Sequence, residues 1–591
     1  MFLPKAVLIS TMLIVFSCVE SHSKLPTAYW IDEQLEQMTP RDMIAQLFMV
    51  TATSSSHEHP GYSKKPWKGD PDYVTELIVK HKVGGLIIMG SFGLMEEHRK
   101  KINYYQQLSN IPLLVGIDGE WLPSRINDVP RMPAAMTMGA VQNDDLIYQM
   151  GKERAEYCKA LGAHIDFAPV VDVNTNPDNP IIGMRAFGDD PEIVARKSIL
   201  FMKGLQDAGV IACAKHFPGH GDTHYDSHIQ LPTIKHSQER LERVELYPFK
   251  QVINNGVKAI MPGHLEVPAL ETEPGLPATF SRSIVTNLLR DQLGFQGLVI
   301  TDALPMGALK DFAPGQAELK ALLAGNDILL CSCDAPLAID YIEHALEKGD
   351  ITLEAIKEKV VRVLQAKQWM QEQRHSLFVT QQDLSRIHAP QSYALKQQIF
   401  DNAITHVAKV SSYEPIRTSS TTYLLHIGAS HEKDFIHALE QDTCIKYTHS
   451  SWWVSQVEIE KMREQFKQAD SIVVALYDPF CKRPKSDEDA PWYQRLLYKV
   501  AVLMHMNQNT DHSAESPCVE ITALLEKLIT DGKRLTLVVF GSPYSVSKLE
   551  KYGEIILAYE DDPCAQQAAA EVICGKRKAI GTLPIMYERR S

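Results

Sequence analysis

Cysteine is scarce in this chain, with ten among 591 residues. The nine beyond position 18 are scattered and odd in number, which excludes a disulfide framework; those in apolar runs, such as Cys213 and Cys331, read as buried free thiols. Cys331-Ser332-Cys333 has one residue between its thiols and is not a CxxC redox pair. Positive charge is also short. Lys and Arg number 60 against 73 Asp and Glu, for a net charge of −13, and no basic stripe is present, so nucleic acid is excluded as a partner. Internal repeats are missing. Long apolar runs are missing too: after the first residues nothing reaches the length of a membrane-spanning helix.

The exception lies at the start. Lys5 precedes an apolar stretch over residues 6–16 that ends at Ser17-Cys18. That is too short to span a bilayer as a mature helix but has the form of an export signal core. Residues 1–23 are therefore expected to be a signal peptide, and Val15-Phe16-Ser17-Cys18 resembles a bacterial lipoprotein cleavage site. Export to the periplasm or cell envelope is expected, with membrane attachment only through a lipid on Cys18.

The densest chemistry lies in Lys215-His216-Phe217-Pro218-Gly219-His220-Gly221-Asp222-Thr223-His224-Tyr225-Asp226-Ser227-His228. It follows an apolar run at 210–214 that reads as a buried strand. Four histidines, two aspartates and a lysine at the end of a core strand point to a site where protons move. The histidines recur every four residues, which on a helix would form a metal-binding face. Pro218, Gly219 and Gly221 disfavour that helix, so no metal or other cofactor is expected. A plain polar loop accounts for Asp222 and Ser227 as turn formers but not for Lys215-His216 at a strand end.

Eight apolar runs alternate with helix-like segments between about residues 40 and 370: 46–50, 85–89, 113–117, 165–171, 210–214, 259–262, 298–301 and 327–330. They are continuously apolar, as parallel strands buried on both faces should be. Eight βα units predict a (β/α)8 TIM-like barrel over residues 24–370. Thr39 and Pro40 read as the N-cap and first residue of a helix. Asp118, Asp172, Lys215 with His216, His264 and Asp302 each stand at a strand end, and such ends share one mouth in a barrel. Residues 371–400 read as a linker, and 401–591 as a smaller α/β sandwich domain with strands at 423–428, 472–477, 535–540 and 555–559. Residues 505–518 read as an exposed loop.

The segment from Lys215 to His228 resembles the signature loop of the β-N-acetylglucosaminidase branch of glycoside hydrolase family 3, KHFPGHG followed at a short distance by D-S-H. Gly183-Met184-Arg185-Ala186-Phe187-Gly188 and Val299-Ile300-Thr301-Asp302-Ala303-Leu304 also fit, and Gly541-Ser542-Pro543-Tyr544 and Gly581-Thr582-Leu583-Pro584 resemble second-domain motifs. The resemblance implies a retaining β-N-acetylglucosaminidase acting on terminal non-reducing N-acetylglucosamine of peptidoglycan fragments or chitooligosaccharides. It implies Asp302 as nucleophile, His228 as acid/base with Asp226 as its carboxylate partner, and Asp118, Arg185, Lys215 and His216 as sugar-binding residues. Arg125 is the candidate for a further sugar-binding arginine, although the run Asp118 to Arg125 is shorter than in similar chains. From the residues alone, Asp302 reads equally as a helix N-cap, and Lys215 as the structural partner of Asp118. Two alternatives from the same family stay open: a β-glucosidase-like enzyme with Glu560 as the acid/base, and a phosphorolytic one, since a histidine does not repel phosphate. Outside enzymes, the alternative is a catalytically silent sugar-binding protein. The oligomeric state is open.

Overall fold

The computed structural model describes residues 27–52, 71–88, 94–120, 129–373, 377–407, 414–416, 421–427, 432–440, 445–451, 456–477 and 517–586. The expected signal segment with Cys18, Arg125, and residues 505–516 of the expected loop lie outside the described residues.

The apolar runs become eight short parallel strands: β1 Phe48–Thr51, β2 Gly85–Ile88, β3 Leu114–Ile117, β4 Ile165–Asp166, β5 Ile211–Phe217, β6 Ala259–Pro262, β7 Leu298–Val299 and β8 Leu329–Leu330. They neighbour one another in the order β7-β6-β5-β4-β3-β2-β1-β8. A parallel bridge between Ile300 and Ile328 joins the two ends, so the sheet closes on itself. Asp327 secures that seam. Its buried carboxylate accepts the Val299 N–H at 2.8 Å and ion-pairs with Arg290 at 2.6 Å and Arg362 at 2.8 Å. A (β/α)8 barrel is the result, as the apolar pattern predicts.

Only β6 has the expected limits: β2 and β3 are one residue shorter, β5 runs on to Phe217, β7 and β8 are each two residues shorter, and β1 and β4 depart for identifiable local reasons. The first begins at Phe48 rather than residue 46, because the preceding helix Pro40–Gln46 runs that far. Thr39 and Asp42 cap that helix reciprocally, with Thr39 Oγ1 accepting the Asp42 N–H at 3.1 Å. The fourth is only two residues long, since Pro169 has no N–H for the ladder. Its continuation touches β5 again through a bridge from Val170 to Lys215.

The second sheet holds β9 Thr405–Val407, β10 Thr422–Ile427, β11 Ile445–Ser451, β12 Ser471–Tyr477, β13 Arg534–Phe540 and β14 Glu554–Leu557, ordered β11-β10-β12-β13-β14-β9. Five strands are parallel and β9 runs antiparallel to β14. β10, β12, β13 and β14 fall on the expected runs, each starting one residue earlier and β14 ending at Leu557 rather than residue 559; β9 and β11 are additional edge strands. Helices Leu353–Gln373, Gln381–Ser385 and Pro390–Ala403 connect the two sheets. They meet closely, with the Thr582 N–H donating to Ala140 O at 2.9 Å and the Asp189 N–H to Pro584 O at 3.3 Å. No helix among the described residues is long and apolar enough to cross a membrane. Cys213 is a buried free thiol, and Cys331 is buried beside the Thr51 hydroxyl.

Candidate active site

The carboxyl ends of the barrel strands surround a pocket of about 460 Å³ lined by Asp118, Arg185, Lys215, His216, His228 and Asp302 over an apolar floor of Ile87, Met261 and Leu330. Six of the eight residues singled out from sequence thus share one cavity. Asp226 stands behind His228 rather than in the lining, and Arg125 lies outside the described residues.

Lys215 and His216 reach the cavity side by side because β5 is irregular there. Lys215 pairs with Met261 and Phe217 with Pro262, so His216 is an extra residue opposite β6, and such a bulge re-aims side chains. Lys215 Nζ lies 2.7 Å from Asp118 Oδ1 and 2.7 Å from Glu120 Oε1. Glu120 also accepts both arms of the Arg185 fork, at 2.6 and 2.7 Å. Burial works against the charge on Glu120, but Arg185 and Lys215 outweigh it and hold the carboxyl far below the usual range. Burial likewise opposes the charge on Lys215, and Asp118 and Glu120 outweigh that. Both cations are therefore permanent.

Sequence reasoning missed Glu120. Its signal was the spacing from Asp118, since residues two apart in an extended segment share a side. Its partners are 65 and 95 residues distant in sequence.

Asp172 organises the base of the signature loop. Its Oδ1 accepts the N–H groups of His216 at 3.1 Å and His220 at 2.7 Å, and its Oδ2 meets His216 Nδ1 at 2.7 Å. The His220 ring joins Thr223 Oγ1 at 2.8 Å to Ser227 Oγ at 3.0 Å. Burial pushes His220 down to about 4, so this ring is a neutral rivet. Gly221 serves close packing, since a Cβ there would overlap the Val173 carbonyl. His216 and His220 are buried with different ring partners, His224 is exposed, and His216, His220 and His228 all border the pocket.

His228 and Asp302 face the same cavity. Asp226 Oδ1 accepts from the His228 backbone N–H at 2.9 Å and lies 2.7 Å from Nδ1. Burial lowers the His228 pKa, but the bond to Asp226 and the charges of Asp226 and Asp302 outweigh it, so the ring titrates above its ordinary value. Asp302 follows β7 and accepts the Ala303 N–H at 2.7 Å. Burial raises its carboxyl; His264, His216 and His228 more than offset this and hold it at about 2. His264 stands behind it, fixed by Thr279 Oγ1 at 2.8 Å and Ala303 O at 3.0 Å. The site therefore sets an ionised carboxylate against an imidazole that stays protonated at higher pH than usual. Glu560 is elsewhere. It is buried, accepts from the Ala134 N–H at 2.8 Å and the Thr137 hydroxyl at 2.5 Å, and does not line the pocket.

A closed parallel barrel with a carboxylate, an imidazole and charged hydrogen-bonding groups at its mouth, followed by a second α/β sheet, is the two-domain frame of a glycoside hydrolase, and the comparisons with known proteins make it one. Residues 39–366 match the Glycosyl hydrolase family 3 N terminal domain, and the chain belongs to glycoside hydrolase family 3. It is 28% identical to Beta-hexosaminidase A of Pseudoalteromonas piscicida over 93% of this chain and 97% of that protein. It is 31% identical to Beta-hexosaminidase LpqI of Mycobacterium tuberculosis over 55% of this chain and 82% of that one. The solved glycoside hydrolase family 3 beta-N-acetylglucosaminidase from Paenibacillus sp. str. FPU-7 superposes with a TM-score of 0.73 at 29% identity, covering 93% of this chain and 99% of the other.

Proposed function

We propose that this chain is a retaining β-N-acetylglucosaminidase that releases terminal non-reducing N-acetylglucosamine from peptidoglycan fragments or chitooligosaccharides. The observation that carries the reading is the convergence of Asp302 and the Asp226–His228 pair on one pocket. In the first step an Asp302 carboxylate oxygen bonds to the anomeric carbon. The bond from that carbon to the leaving oxygen breaks, and the leaving oxygen takes the proton from His228. Asp226 accepts from Nδ1–H, which leaves Nε2 to carry the transferred proton, as a carboxylate-held imidazole does in hydrolytic triads. In the second step water attacks the same carbon, its proton passes to His228, and the carboxylate departs. Lys215, Arg185 and His216 donate to sugar hydroxyls, and Asp118 accepts from them. The named relatives, two hexosaminidases and an N-acetylglucosaminidase, support the choice of sugar. Export, with a lipid on Cys18, belongs to the same reading and rests on Lys5, the apolar residues 6–16 and Ser17-Cys18.

Turnover of an aryl N-acetylglucosaminide and an aryl glucoside, each with and without inorganic phosphate, tests this. Hydrolysis of the first, indifferent to phosphate, is expected. Preference for the glucoside, or sugar phosphate as product, overturns the reading in favour of one of its two family alternatives.

A further inference from the structure

Among the described residues the second domain contributes nothing to the pocket lining, yet it grips the segment that carries Arg185. Tyr544 lies in the single turn Pro543–Ser545 that follows β13. Its hydroxyl donates to the backbone oxygen of Asn174 at 2.8 Å and accepts from Asn174 Nδ2 at 2.7 Å. Asn174 is fully buried in the barrel. Its Oδ1 accepts the Gly183 N–H at 2.9 Å, and its own N–H donates to Gly188 O at 3.0 Å. Gly183 opens the short turn Gly183–Arg185, in which the Arg185 N–H donates to Ile182 O at 2.8 Å. The far end of the segment is held from the same domain. Asp189 donates to Pro584 O, and its Oδ1 accepts the Met586 N–H at 2.7 Å. Gly188 lies so close to Pro584 that a Cβ would overlap the Pro584 carbonyl.

We infer that Tyr544 is a positioning residue for Arg185: through Asn174 and the Gly183–Arg185 turn, the second domain sets where the pocket guanidinium stands. A guanidinium fork is directional. It holds Glu120 with two parallel bonds, and any donor it offers to substrate has to be placed within a fraction of an ångström. Residues 183–189 contain no strand and are supported by loop contacts, so the barrel ladder does not fix this segment. The clamp from the second domain supplies the support instead. This inference rests on the reading of Arg185 as a sugar-binding residue; the contacts themselves do not.

The test is Tyr544→Phe in the full-length chain, which keeps the ring packing and removes the hydroxyl. Amide hydrogen exchange over residues 181–187 should quicken about fivefold, as expected for one lost buried hydrogen bond. KM for an aryl N-acetylglucosaminide should rise about fivefold while kcat stays within about twofold. In an Arg185→Lys background the same substitution should change KM by less than twofold, because the fork it positions is gone. Unchanged exchange overturns the inference, and so does quicker exchange with unchanged KM in an active enzyme. An equal cost in both backgrounds also overturns it. A wild-type chain with no glycosidase turnover defeats the catalytic reading instead, and the exchange measurement still decides whether Tyr544 orders the Arg185 turn.

Discussion

In the proposed mechanism Asp302 and His228 divide the chemistry through opposite electrostatic settings. Asp302 is held at about 2 against the pull of burial, chiefly by His264, His216 and His228, so it is an anion at every working pH. Asp302→Ala should lower kcat at least about a thousandfold with an unchanged far-UV circular dichroism spectrum; turnover near the wild-type level would remove it as nucleophile. His228 is raised by Asp226, and a general acid works only while protonated. Activity toward poor leaving groups should therefore fall as pH rises through a value above the ordinary 6.5. Asp226→Asn should move that alkaline limb to lower pH, measured as kcat/KM against pH; a limb that stays in place would exclude the pairing. His228→Ala should cost about a hundredfold or more on substrates whose leaving group needs protonation and far less on activated aryl glycosides. Equal losses on both would remove the acid role.

The loop from Pro218 to His228 is an element without regular structure, and side chains take the place of a ladder. Asp172 anchors its base, His220 bridges Thr223 to Ser227, and the Gly307 and Ala308 N–H groups donate to His228 O at 3.0 Å and Ser227 O at 3.2 Å. The Asp226–His228 pair is therefore tied to the segment that follows Asp302. His220→Leu keeps much of the bulk but takes the ring partner from the buried Ser227 hydroxyl, while Thr223 Oγ1 keeps the His220 backbone oxygen and Asn179. It should destabilise the chain by about 2 kcal/mol in urea denaturation and quicken exchange over residues 223–228, while a sugar analogue slows it again. Identical exchange with and without the analogue would show that the loop does not respond to the site.

Across the whole molecule, the second sheet works as a brace. Glu560 reaches from the end of β14 to Ala134 and Thr137 of the barrel, and burial raises its carboxyl. Glu560→Ala should cost roughly 2 kcal/mol, because it leaves the Ala134 N–H and the Thr137 hydroxyl buried without an acceptor. It should leave kcat within a few-fold and the shape of the pH profile unaltered. A thousandfold loss of kcat, restored by azide as an external nucleophile, would transfer the acid/base role to Glu560 and defeat the His228 mechanism.

The barrel was legible because burial on both faces of a parallel strand demands a continuous apolar run, which short-range pattern records directly. The edge strands β9 and β11 were not: one has three residues, and the other, Ile-Lys-Tyr-Thr-His-Ser-Ser, lacks such a run. The signature loop was legible because its charged groups are contiguous, and the same contiguity made Asp226 and His228 a visible pair. Glu120, the Asp172 anchor for two histidines, and the Tyr544–Asn174 contact were decided only by folding. Each depends on side chains brought together across tens to hundreds of residues, where the chain's path through space, rather than its local pattern, determines which charge finds which partner.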